Sequence, residues 1–63
     1  MSYELFVSKT TAIVNRMGFS ARFSTDGVHH TATVSDGTVI TGEADGNVVS
    51  FTLPGGKTLK TTV

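Results

Sequence analysis

The chain has 63 residues, with five basic and five acidic side chains, two histidines and no cysteine. A single domain of this size buries only about 60% of its unfolded surface, so its stability is small and a partner or a second copy is a natural source of further burial. The zero net charge argues against an electrostatic grip on nucleic acid or an anionic membrane, and the missing cysteines exclude disulfides and thiolate metal sites.

No apolar run approaches the ~20 residues that span a bilayer. The opening Met1-Ser2-Tyr3-Glu4 lacks the charged and apolar regions of a signal peptide, which makes a cytoplasmic protein the expectation. From Ser2 to Met17, residues Tyr3, Phe6, Val7, Thr10, Ile13, Val14 and Met17 recur at helical spacing and form one stripe. Ser2 suits an N-cap, Glu4 the first turn, Arg16 the last turn and Gly18 a C-cap. These signals predict a helix over residues 2–17. The β-branched residues in this stretch support a competing reading, a strand over Tyr3–Val7 and then a short helix capped by Thr10 or Thr11.

From Phe19 to Val63 the pattern changes to short runs rich in Thr, Val and Phe, separated by Asp26-Gly27, Asp36-Gly37, Asp45-Gly46 and Pro54-Gly55-Gly56. This spacing predicts a five-stranded antiparallel β-meander. A two-residue turn at Asp26-Gly27 sets strand one, Phe19–Thr25, against strand two, Val28–Val34, with Phe23 opposite His30 and Phe19 opposite Val34. The same turn at Asp36-Gly37 pairs Val34 with Val39. Three-residue loops at Ala44-Asp45-Gly46 and Pro54-Gly55-Gly56 then pair Val39 with Phe51 and Phe51 with Leu59 on strand five, Lys57–Val63.

The inner face so derived holds Phe19, Ala21, Phe23, Val28, Ala32, Val34, Val39, Val49, Phe51, Leu53 and Leu59, with the helix as its cover. Ser20, Arg22, Ser24, His29, Thr31, Thr33, Ile40, Ser50, Thr52, Thr58, Lys60 and Thr62 face outward. The fold expected is α+β, one domain with an N-terminal helix on an open meander; a small closed barrel with a helix lid is the alternative.

Few residues suggest chemistry. His29 and His30 are adjacent, so in a strand they point to opposite faces and cannot readily grip one metal ion. Asp26, Asp36 and Asp45 each precede glycine, which turn geometry already explains. Ser24, Asp26 and His29 are close in sequence, but nothing shapes a pocket around them. Pro54-Gly55-Gly56-Lys57-Thr58 lacks the spacing of a phosphate loop. No cofactor, metal site or catalytic set is expected.

Arg22, His29 and Lys60 lie on a face without the exposed aromatics on which single strands stack, so nucleic acid is a minor alternative. What remains is a free face and an unprotected strand-one edge. The expected function is a non-enzymatic interaction module, a small accessory or inhibitory protein of the kind phages and mobile elements carry, occupying a surface of a larger protein. The contact candidates are Arg22, His29, Thr31, Thr33, Ile40 and Lys60. A self-assembling subunit pairing through the strand-one edge is a further alternative.

Overall fold

A computed structural model describes residues 1–62; Val63, expected to end the last strand, lies outside the described residues. The elements in order are helix α1 (Tyr3–Arg16) and strands β1 (Ala21–Thr25), β2 (His29–Val34), β3 (Val39–Glu43), β4 (Val48–Thr52) and β5 (Thr58–Thr62). The strands pair in chain order, each antiparallel to the next, as one five-stranded sheet with β1 and β5 as its edges. The fold is therefore α+β, a helix on an open meander, and the closed barrel is not formed.

The helix forms as its signals predict. The Ser2 hydroxyl accepts from the Leu5 N–H at 3.1 Å. At the other end Gly18 takes φ +82°, its N–H donates to Asn15 O, and the Phe19 N–H donates to Val14 O. This is a Schellman cap. It draws Phe19 into the end of the helix, so β1 starts two residues later than expected and Phe19 is exposed. The competing strand over Tyr3–Val7 is not formed.

Three turns set a register different from the expected one. In the first hairpin Thr25 pairs with His30, Phe23 with Ala32 and Ala21 with Val34. The Asp26 carboxylate accepts from the N–H groups of both Val28 and His29, at 2.9 and 2.7 Å, which draws those residues into the turn. Val28 leaves the inner face and is 53% exposed. The shift is an even number of residues, so the faces of β1 and β2 stay as expected.

The second turn departs by one residue. Asp36 accepts from the Thr38 N–H, Val34 N–H donates to Thr38 O, and Gly37 adopts φ +97°, the left-handed position of a three-residue bulged loop. Ala32 thus faces Ile40, and Thr33 faces Val39. An odd slip reverses a strand. Ile40 is in the core at 2% exposure, while Val39 lies on the outer face.

The third hairpin slips back by one, pairing Ile40 with Phe51 and Gly42 with Val49. The fourth has the expected register, Phe51 opposite Leu59, with the Leu53 N–H donating to Lys57 O across the Pro54-Gly55-Gly56 loop. Only β3 is reversed as a whole.

The reversal has a packing reason. α1 packs on β1 and β2, and its fully buried Phe6 reaches over to β3. The Phe6 ring meets Phe23 edge-on at 6.2 Å and His30 at 5.5 Å. A Cβ placed on Gly42 would stand 2.9 Å from Phe6 Cδ1. β3 therefore presents Gly42 inward because the aromatic ring occupies the volume a side chain would need. Phe6, Val14, Ala32, Val34, Ile40 and Val49 form the core around this contact.

Candidate functional site

The outer face of the sheet and the half of the inner face that α1 leaves bare are open to a partner, and among the described residues β1 and β5 each have one side unpaired at the sheet edge. The outer face is built in rows across the strands. Arg22, Thr33, Val39, Thr52 and Thr58 are successive neighbours in one row, and Ser24, Thr31, Thr41, Ser50 and Lys60 in the next. His29 pairs with Glu43 in a third row. Arg22 and Thr33 are thus adjacent, and Thr31 is one row away. Lys60 is on the opposite edge, four strand spacings or ~19 Å from β1.

The expected contact residues therefore spread across the face, with one cation at each edge. Ile40, expected among them, belongs to the core beneath. A shallow hollow of about 310 Å³ beside Lys60 is rimmed by Glu43, Asp45 and Asn47.

The imidazoles are committed to structure. His30 is buried between Tyr3 and Phe6. Its Nε2–H donates to Met1 O at 3.1 Å, and its Nδ1 lies 2.8 Å from the Thr25 hydroxyl, which donates to His29 O at 3.1 Å. The Met1 amino group in turn donates to Glu43 O and Ala44 O at 3.0 Å, and to Gly46 O. His30 thereby joins the first hairpin to the start of the helix. His29, on the opposite side of β2, donates from Nδ1 to Asp26 Oδ2 at 3.2 Å, in full contact with water.

Asp26 titrates well below the usual carboxylate range, first because the His29 N–H donates to it and then because the Val28 N–H does. Asp36 is lowered as well, chiefly by the Thr38 N–H. Both carboxylates are occupied in holding turns.

The bare half of the inner face is different in kind. Among the described residues no helix lies over β4 and β5, and Phe51 and Leu53 are half-buried while Leu59 is 48% exposed. The flank of α1 forms the wall of this slot, with Ile13 36% and Met17 57% exposed. At one end Met17, Asp36, Phe51 and Leu53 line it; at the other, Lys9, Ala12, Val49 and Thr61, and Ile13 is common to both.

The sequence pattern places Ile13, Met17, Phe51, Leu53 and Leu59 on inward faces and does not distinguish them from the core. The missing signal is one of width. One helix is about 10 Å across, whereas five strands span ~19 Å. Among the described residues, no helix is long and apolar enough to cross a membrane. Comparison with protein-family models, with curated proteins and with solved structures finds no match to this chain.

Proposed function

We propose that this chain is a non-enzymatic protein-interaction module, a small accessory or inhibitory protein that acts in the cytoplasm by occupying a surface of a larger protein. The observation that carries the reading is the apolar slot beside α1, where Met17 and Leu59 stand about half exposed on a fold too small to leave such surface idle. The commitment of Asp26, Asp36 and His30 to turns and to the core supports it further, because these polar groups already have structural work. The outer-face residues Arg22, His29, Thr31, Thr33 and Lys60 form a broad polar surface on the other side of the sheet from the slot.

The reading is tested with a photo-reactive phenylalanine analogue placed at Leu59, on the slot, or at Thr33, on the outer face. Irradiation in cells that make the protein is expected to give a discrete adduct to a larger protein from at least one position. No adduct from either would remove the interaction-module reading.

A further inference from the structure

The slot is about as wide as one α-helix. α1 rests on β1 and β2 and reaches β3 through Phe6 over Gly42, and β4 and β5 extend the sheet beyond β3 by two further strand spacings, ~10 Å. That is the width of a second helix lying beside the first. The floor is apolar at Phe51 and Leu53 and gives way to Thr61 and Thr62 at the far end, and the α1 wall adds Ile13 and Met17.

The charges select the occupant. Lys9 lines the slot, and Arg16, two turns on from Lys9, lies on the same flank of α1 and is exposed. Glu4, the one acidic residue of α1, lies about 140° around the helix from Lys9 and faces away. The flank beside the slot is therefore cationic. A second copy would fill the slot with its own α1, related by a two-fold axis along the strands. The two helices would then run parallel, with Lys9 opposite Lys9 and Arg16 opposite Arg16, an arrangement like-charge repulsion opposes. Asp36 closes the far end, and a helix N-terminus is its complement.

Resting on the interaction-module reading above, we propose that the slot over β4 and β5 receives an amphipathic α-helix of the partner protein, antiparallel to α1. Its apolar stripe meets Phe51, Leu53 and Leu59, and acidic residues along its rim meet Lys9 and Arg16. This is helix-in-groove recognition, with anchors at helical spacing and charges setting the choice of partner.

The test uses the full chain, isotopically labelled, and two designed peptides of about 14 residues, the length of α1. Both carry leucines at i, i+3, i+4 and i+7; one is flanked by glutamates and the other by lysines. The glutamate peptide is expected to shift the amide resonances of Ile13, Met17, Phe51 and Leu59 and to leave Thr31 and Thr33 unmoved. The lysine peptide is expected to bind about tenfold more weakly at low salt. The variant Lys9→Glu should narrow or reverse that preference, a readout that loss of folding does not imitate. Leu59→Glu, at an exposed site, should weaken the glutamate peptide with an unchanged circular dichroism spectrum.

Shifts confined to the outer face, equal affinity for both peptides, or no binding would overturn the proposal. So would a concentration-dependent dimer of the free chain that shifts the same slot amides. A cross-link from Leu59 or Thr33 to a larger protein decides the interaction-module reading separately, so the helix can fail while the module stands.

Discussion

The two halves of the inner face carry the same kind of sequence and meet different fates. Under α1, strands β1 to β3 present Phe23, His30, Ala32, Val34, Ile40 and Gly42, fitted around a fully buried Phe6. Beyond Val49, which still belongs to the core, the alternation continues through Phe51 and Leu59, yet every residue of β5 is exposed. Alternation tells which face is apolar; it does not tell what covers it. In the covered half, shape complementarity decides stability and register. In the open half, burial awaits another molecule.

The sharpest way to break this contrast is at the Phe6–Gly42 contact. Phe6→Ala removes the central ring and is expected to cost about 3–5 kcal/mol, enough to unfold a domain of this size. Gly42→Ala puts a methyl against the ring and is expected to cost about 1–3 kcal/mol by overpacking. In a Phe6→Leu background the added methyl should cost measurably less, because the two sites share one volume. Denaturant unfolding of the four proteins gives the coupling. Equal costs of Gly42→Ala in both backgrounds would mean that the ring does not fix the orientation of β3.

His30 comes next. His30→Leu keeps the bulk but leaves the buried Met1 carbonyl without its donor, while the Thr25 hydroxyl keeps the His29 carbonyl as its acceptor. The expected loss is about 1–3 kcal/mol. His29→Leu, on the exposed side of the same strand, is expected to change stability by less than about 0.5 kcal/mol. Thermal unfolding of the pair compares a core histidine with its surface neighbour directly.

The helix, its caps, the number of strands and their order were all legible, because each rests on local chemistry such as Ser2, Gly18 and the glycines of the turns. The side of β3 was not. Asp36-Gly37 is compatible with a two-residue turn and with a three-residue loop, and the choice alters the register by one. Val39 and Ile40 are both good core residues, so the apolar pattern could not arbitrate. Gly42 was the discriminating residue, since a glycine inside a strand signals a close approach. Its partner, Phe6, is 36 positions away in the chain, and nothing local links the two. Ile40 was misplaced among the contact residues for the same reason. The slot was missed because its residues carry the same pattern as a core, and only the width of one helix against five strands separates them.

The open half should be the tolerant one. Leu59→Lys is expected to cost less than about 1 kcal/mol, since the side chain is already half in water. Val34→Lys, beneath the helix, should abolish folding. Hydrogen exchange sharpens the same comparison without mutation. The amides of β2 should exchange only through global unfolding, and those by which β5 pairs with β4 through cheaper local opening. Equal protection in both strands would show that β5 belongs to the same cooperative unit and that the division into halves is one of surface alone.

The smallest expected effect concerns Asp26, whose turn joins two covered strands. Its carboxylate is held below the ordinary range by the backbone N–H groups of His29 and Val28. A carboxylate depressed in the folded state contributes stability that is present above the unfolded value, about pH 4, and lost as pH falls through the lower folded value. The midpoint of Asp26 followed by carboxyl carbon resonance should therefore lie below the ordinary carboxylate value. Asp26→Asn keeps an acceptor oxygen for the two N–H groups, so it should preserve the hairpin register while flattening the acid dependence. Asp26→Ala removes both. If the first hairpin held the same register in the alanine variant, with Thr25 still opposite His30, the turn would be shaped by the packing of Phe23 and His30 under the helix. The covered half would then dictate even its own loops.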